Sequence, residues 1–405
     1  MLLHPRHQTK KARLILEDGS SYEGISFGAE MPKSGEVVFN TGMVGYPETF
    51  TDPSYKGQIL ILTYPLIGNY GIPNEKIIKQ HLSEAFESEK AQIQGLIVTE
   101  YSRNYHHWRA NGSLSDWLKK YDVPGISGID TRMLTQKIRE KGAMLGKIVP
   151  SNTNNATITH QSIRSTPTTI HSTATNKTTT TNRADTSNPT TIDEKNTEFY
   201  DPNTHNVVAE VSIKKPILYE SGRKKVIIID TGIKHTIIRN FLNRNITVYR
   251  VPWNYDFFEQ KIKFDGVFIA NGPGDPAIIK ETHRLIQTCL NKKIPTVGIC
   301  LGNQILAIAA GGKTFKLKYG HRSQNQPVID LETGRAYITS QNHGFAVDPK
   351  SLPKGWKVWF ENANDHTVEG IKHEKLPFLA VQFHPEATPG PIDTTFLFDT
   401  FIKTF

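Results

Sequence analysis

The chain holds two cysteines, Cys289 and Cys300, and their surroundings differ. Cys300 lies in GICLG, between the apolar run TVGI and the small-residue run LGNQILAIAAGG, with Gly298 and Gly302 two positions away on either side. A nucleophile at the apex of a tight strand-to-helix turn needs small neighbours because the backbone is strained there. Gly-x-Cys-x-Gly is therefore the thiol counterpart of the Gly-x-Ser-x-Gly elbow. The following helix would present free N–H groups and the positive end of its dipole, which stabilise a thiolate. Cys300 is expected to be a nucleophile. Cys289 continues the apolar stripe of Leu285 and Ile286 in ETHRLIQTCLNKK and is expected to pack as a small hydrophobe.

A thiolate nucleophile needs a base, and the base needs an orienting group. LAVQFHPEATPGP offers both within three residues. Pro385 pushes His384 toward an extended conformation, in which positions i and i+2 project to one side, so Glu386 can hold the His384 ring in its productive tautomer. NGPGDP (271–276) follows the apolar run DGVFIA, and its glycines let backbone N–H groups approach a ligand closely. Beside a Cys-His-Glu set it is a candidate oxyanion-hole donor for acyl transfer. QNHGFAVD (341–348) reads as a fourth polar break, at the end of AYITS, able to contact a polar substrate.

These residues need a scaffold that brings distant loops together. From residue 225 the pattern is strand then helix: KVIIID, a helix with Ile233, Ile237, Phe241 and Leu242 on one face, then ITVYRV, DGVFIA and TVGIC. Short, doubly apolar strands alternating with helices predict a doubly wound, mainly parallel sheet, in which ligands bind beyond the carboxyl ends of the strands. The N-terminal part predicts a mixed α/β domain: a hairpin around Asp18-Gly19, strands in VVFN, QILILTYP and QGLIVTEY, and helices in NEKIIKQHLSEAF and DTRMLTQKIREKG. Between Ser151 and Thr191, 15 of 41 residues are Thr, which leaves almost nothing to build a core. The expected organisation is an N-terminal domain over 1–150, a Thr/Asn/Ser-rich linker and insertion over 151–221, and an α/β domain over 222–405.

Composition narrows the class. Two cysteines exclude a disulfide scaffold and point to a reducing compartment. No apolar stretch approaches the ~20 residues of a membrane span, so no membrane is expected. The formal charge of +9 is not organised into a basic run interleaved with aromatics, so it reads as a solvated surface without nucleic acid. No transit peptide is evident. The Ile, Lys, Asn and Thr bias is common in AT-rich genomes, and plastid stroma or bacterial cytoplasm is the expected location.

With these motifs in place, the sequence resembles the class I, triad-type glutamine amidotransferases through GICLGNQILA, NGPGDP and FHPEA. Within that class it is similar to the small chains of carbamoyl-phosphate synthase, through VVFNTGMVGYPETFTDPSYKGQILILTYPLIGNYG, QNHGFAVD and HPEATPGP. The resemblance implies that Cys300 attacks the side-chain amide of glutamine, with His384 as acid and base and Glu386 as its partner. It implies an oxyanion hole from the N–H groups of Leu301 and Gly272, and glutamine bound by Ser54, Gly274, Gln304, Asn342, Gly344 and Phe345. It implies no cofactor or metal on this chain. Ammonia would pass through a tunnel to a large chain that uses two ATP, Mg and bicarbonate to make carbamoyl phosphate for arginine and pyrimidine synthesis, in a heterodimer or a higher assembly of heterodimers. The alternatives are the amidotransferase subunit of another synthase, such as anthranilate synthase, and a non-catalytic scaffold on the same fold. The N-terminal domain argues against the first and the intact Cys300, His384 and Glu386 against the second. Two departures stand out: Asn303 where many relatives carry His, and GHRSQNQPV (320–328), with Gln324 and Gln326, where the family has Gly-Gly-Asn-His-Pro-Val.

Overall fold

The computed structural model describes residues 10–75, 82–151 and 198–405. Lys11–Leu16 and Ser21–Ser26 form the expected hairpin, with Leu14 opposite Tyr22 and Gly19 at φ +83° in the turn. The two strands close a seven-stranded barrel whose order continues from Lys11–Leu16 through Met144–Pro150, Lys33–Asn40, Gln58–Leu62, Gly95–Ile97 and Gly125–Ser127 back to Ser21–Ser26. Leu14, Val37, Ile59, Ile61, Ile97, Ile126 and Ile148 share one buried cluster within it. The helix Thr131–Lys141 begins where the sequence places it, because the Asp130 side chain accepts a hydrogen bond from the Met133 N–H at 3.0 Å.

The helix expected in NEKIIKQHLSEAF falls partly on 76–81, outside the described residues, and 82–86 is irregular. Its described apolar residues serve two different cores. Leu82 packs with Ile237 and Phe241 of the C-terminal half, while Phe86 packs with Phe50 and Trp117 of the N-terminal half. The Thr-rich stretch over 152–197 also lies outside the described residues. Beyond it the chain returns to the barrel, where Tyr200 donates its backbone N–H to Ser34 Oγ at 2.8 Å. Ile217–Tyr219 already belongs to the C-terminal sheet, paired antiparallel with Ile246–Pro252.

That sheet has ten strands in the order Ile217–Tyr219, Ile246–Pro252, Lys224–Asp230, Gly266–Ile269, Thr296–Ile299, Phe378–Val381, Val368–His373, Trp356–Asn362, Thr314–Asp330, Ala336–Val347. The five strands from Ile246–Pro252 to Phe378–Val381 run parallel, and an antiparallel flank extends beyond the parallel block. Successive residues of the parallel strands alternate between two apolar layers: Val226, Ile228 and Phe268 face one, Ile227, Ile229 and Ile269 the other. Helices His235–Leu242 and Leu397–Thr404 cover the first layer, Lys280–Asn291 and Leu301–Ala310 the second. This is the doubly wound arrangement. Ile238 rather than Leu242 completes the buried face of His235–Leu242.

QNHGFAVD is no break. Residues 341–347 lie inside the twelve-residue strand Ala336–Val347, with Asp348 just beyond it, and the pairing of that strand with Thr314–Asp330 shifts register between Lys316 and His321 and between Ser323 and Gln326. The irregularity that the polar residues suggested is carried by bulges within continuous strands. Among the described residues, no helix is long and apolar enough to cross a membrane.

Candidate active site

Cys300 stands between Thr296–Ile299 and Leu301–Ala310 with φ 57° and ψ −108°. A non-glycine residue held there costs about 1–3 kcal/mol, which the surrounding packing must offset. Its neighbours show how the turn is made. A Cβ on Gly302 would lie 2.2 Å from the Ile269 carbonyl oxygen, and one on Gly298 would lie 2.8 Å from the Gly302 carbonyl carbon. The helix therefore crosses its own strand and the adjacent one at a separation only glycine allows. Helix geometry leaves the first N–H groups, those of Leu301 and Gly302, without an intrahelical acceptor beside the Cys300 side chain.

The strand register then delivers the candidate base. Ile299 pairs with Val381, and the Cys300 N–H donates to the Val381 carbonyl at 2.8 Å, so the cysteine and the HPE segment leave adjacent parallel strands side by side. The His384 N–H donates to Ser340 O at 2.9 Å, and Glu386 Oε1 lies 2.6 Å from His384 Nδ1. Burial alone would push the imidazole pKa down. The Glu386 carboxylate and the Cys300 side chain outweigh that and raise His384 to about 10. Burial would likewise raise Glu386, but the cation of Lys234 and the imidazolium of His384 lower it to about 2.

Lys234 is one of the residues that sequence reasoning missed. It is buried, its Nζ lies 3.0 Å from Glu386 Oε1, and it donates to Ala387 O at 2.9 Å. Desolvation disfavours its charge, and Glu386, Glu87 and Asp52 together more than restore it. The signal was available: KVIIIDTGIK places Lys234 just beyond the first parallel strand, on the sheet edge where ligands bind. Asp230 shapes the loop that delivers it, accepting from Gly232 N at 3.0 Å and Ile233 N at 2.9 Å while Arg250 pairs with its other oxygen at 2.8 Å.

The remaining candidates fall into two groups. Ser54 and Asn342 meet at the seam between the two halves: Asn271 Nδ2 donates to Ser54 Oγ at 3.0 Å, and Asn342 Nδ2 to Asp52 Oδ2 at 3.2 Å. The Asn342 carbonyl lies 3.6 Å from Cys300 Sγ. Asn271 opens the NGPGDP run expected at the site, whereas Asp52, beside Ser54 in TDPSY, was not among the candidate residues. Gly272 abuts the elbow, since a Cβ there would lie 2.8 Å from Leu301 Cδ2, and Gly274 takes φ +82° in the same loop. In the second group, Gln304 Nε2 donates to the Phe345 carbonyl at 2.8 Å, tying the elbow helix to the strand of Asn342, Gly344 and Phe345.

That strand is braced from behind. His343 Nδ1 lies 2.9 Å from Phe345 O, and His343 Nε2 lies 3.6 Å from Glu369 Oε1, which is 3.3 Å from His321 Nδ1. His321, His343 and Glu369 are close enough to share a cation, and His321 also binds Asp365 at 2.8 Å. Burial disfavours the charge on His321, but Asp365 and Glu369 outweigh it and raise the ring to about 9. The altered run contributes to the same region: Gln324 Nε2 donates to Val44 O at 2.8 Å across the seam, and Asn362 Nδ2 donates to Gln326 Oε1 at 3.2 Å. Asn303 donates to Gln382 Oε1 at 3.2 Å.

Residues 227–404 match the family model described as glutamine amidotransferase class-I, and residues 14–148 match that of the carbamoyl-phosphate synthase small chain, CPSase domain. The carbamoyl phosphate synthase small chain of Pyrococcus furiosus is 44% identical over 398 residues, covering 97% of each chain. This chain belongs to the carbamoyl-phosphate synthase small-chain family. The same alignment extends into longer relatives. Multifunctional protein ura1 of Schizosaccharomyces pombe is 47% identical over 97% of this chain and 17% of its own length. The mitochondrial carbamoyl-phosphate synthase [ammonia] of Homo sapiens is 44% identical over 99% of this chain and 24% of its own length. The chain thus spans about a sixth to a quarter of those longer relatives.

Proposed function

We propose that this chain hydrolyses glutamine and supplies the ammonia to a large carbamoyl-phosphate-forming partner. The observation that carries the reading is the Cys300 elbow set beside the buried His384, Glu386 and Lys234 chain. Family membership alone does not decide it, because one relative is named for ammonia.

In this reading the Cys300 sulfur attacks the side-chain carbonyl carbon of glutamine. A C–S bond forms and the carbonyl oxygen takes the negative charge, facing the N–H groups of Leu301 and Gly272. His384, held protonated by Glu386 and the sulfur anion, gives its proton to the departing nitrogen as the C–N bond breaks. The now neutral His384 takes a proton from water, which attacks the thioester and releases glutamate with return of the thiolate. Ser54, Gly274, Gln304, Asn342, Gly344 and Phe345 are assigned to glutamine. ATP, Mg and bicarbonate are assigned to the large partner, and the product to arginine and pyrimidine synthesis.

The test is release of glutamate and ammonia from glutamine by the purified chain, alone and with a large chain. Cys300→Ser should abolish it while glutamine still binds. Turnover unchanged in Cys300→Ser would overturn the assignment.

A further inference from the structure

We propose that Glu87, on the barrel side of the molecule, is a positioning residue for the Cys300 site: it caps the helix that follows Lys234 and so frees the Lys234 side chain for Glu386. The inference rests on the glutaminase reading and adds a residue to it.

The helix His235–Leu242 begins with Lys234 at its N-cap, and no side chain of its own segment caps it. A lysine is a poor choice for that position, where Ser, Thr, Asp or Asn normally accepts from the second or third helical N–H. Here the lysine is required elsewhere, with its Nζ on Glu386 and Ala387. Glu87 supplies the missing acceptors from a distant part of the chain. Its carbonyl accepts from His235 N at 3.0 Å, Oε2 from Thr236 N at 3.1 Å, and Oε1 from Thr236 Oγ1 at 2.6 Å. Glu87 is fully buried, and a carboxylate at this end also complements the helix dipole.

Glu87 is itself fixed by the segment that reaches the substrate side. Its N–H donates to Thr51 Oγ1 at 3.0 Å, and Ser88 Oγ donates to Thr51 O at 2.6 Å. Thr51 ends the helix Tyr46–Thr51, which runs directly into Asp52 and Ser54. One short stretch of the barrel half therefore sets both the residues facing Asn342 and Asn271 and the cap beneath Lys234. The charged groups facing Lys234 are Glu386, Glu87, Asp52 and, from the helix Tyr46–Thr51, Glu48, and those facing Glu386 are Lys234 and His384. Arg239 also reaches Glu87, at 3.3 Å, from a side chain that is a quarter exposed.

The test uses the full chain and two readouts: kcat and KM for glutamine, and the pH dependence of Cys300 alkylation by iodoacetamide, followed by mass spectrometry. Glu87→Ala should lower kcat about tenfold or more with KM little changed. It should move the alkylation midpoint in the same direction as Lys234→Met, and the double variant should be no slower than Lys234→Met alone. Glu87→Gln, which keeps an acceptor for the Thr236 N–H, should fall between wild type and Glu87→Ala, and it carries the test where Glu87→Ala fails to fold. A wild-type alkylation midpoint in the Glu87 variants, or losses that multiply in the double variant, would overturn the proposal. Absence of glutamine turnover in the wild-type chain would instead sink the glutaminase reading, while the alkylation profiles would still decide the role of Glu87.

Discussion

Lys234 Nζ and Glu386 Oε1 lie 3.0 Å apart with both side chains buried, and Glu386 Oε1 is also the atom 2.6 Å from His384 Nδ1. One carboxylate oxygen therefore faces two cations. Glu386 is thus more than the partner of His384. It is also the counterion without which a lysine would be charged and unpaired in the interior, a situation that costs about 3–5 kcal/mol when one partner of a buried pair is removed.

Glu386→Gln should accordingly lose stability as well as activity. Its melting temperature should fall well below that of Cys300→Ser, and the residual glutamine turnover should remain measurable. Lys234→Met should also lose turnover, by leaving Glu386 with a single partner. The combination of Glu386→Gln with Lys234→Met should melt higher than Glu386→Gln alone, since it removes both charges together. Thermal unfolding of the four proteins checks this, and a double variant that melts lower than either single one would contradict it.

The same pair sets a pH window. Glu386 sits at about 2 in the folded chain, below the ~4.3 of a free Glu side chain, so its stabilising contribution is present above ~4.3 and is lost as pH falls toward 2. His384 sits at about 10, above the ~6.5 of a free imidazole, so its contribution is full below ~6.5 and is lost as pH rises through 10. His321, at about 9, acts with the same sign as His384. Denaturation midpoints measured across pH should therefore be highest between about pH 5 and 6.5 and decline on both sides. Replacing His321 by Gln should flatten part of the alkaline decline and also move the acid limb, because Asp365 and Glu369 lose the imidazole that lowers their carboxyl groups.

The elbow makes a sharper claim. Gly302→Ala drives a Cβ to 2.2 Å from a backbone oxygen, which no side-chain rotation relieves. The helix must shift from the strand, and a displacement near 1 Å at a nucleophile can cost about a hundredfold in rate. Gly311→Ala is the control: it adds a Cβ at φ +104° with nothing within 4 Å, so it should cost only backbone strain of about 1–3 kcal/mol and leave turnover near wild type. Comparable kcat values for the two variants would mean that the glycine spacing does not position Cys300.

Much of this site was legible because its parts are local in sequence. The spacing in GICLG encodes the turn, the run TVGI encodes a doubly buried strand, and HPE carries base and partner two residues apart, so residue type and period sufficed. The position of Lys234 at a strand end was legible, but the roles of Lys234, Glu87 and Asp52 were not, because what defines them is a partner far along the chain: Glu87 meets Thr236, and Asp52 meets Asn342. A lysine before a helix or an aspartate in a turn reads as a solvated charge until the tertiary contact is known. The antiparallel flank was opaque for a related reason, since polar residues inside Ala336–Val347 face a buried polar network rather than solvent.

Asp52 is where that tertiary contact is expected to bear on substrate binding. Its carboxylate accepts from Ser54 N at 2.9 Å and from Asn342 Nδ2 at 3.2 Å, holding two glutamine-binding candidates from opposite halves of the molecule on one charge. A hydrogen bond to a charged group contributes about 1.5–3 kcal/mol, equivalent to roughly one to two orders of magnitude in affinity. Asp52→Ala should therefore raise KM for glutamine by about tenfold or more, while kcat at saturation changes little because Cys300, His384 and Glu386 keep their own bonds. Asp52→Asn retains one acceptor and should fall between. A loss confined to kcat would place Asp52 with the Lys234 charge network, whose cation it also faces, rather than with the seam that holds Ser54 and Asn342.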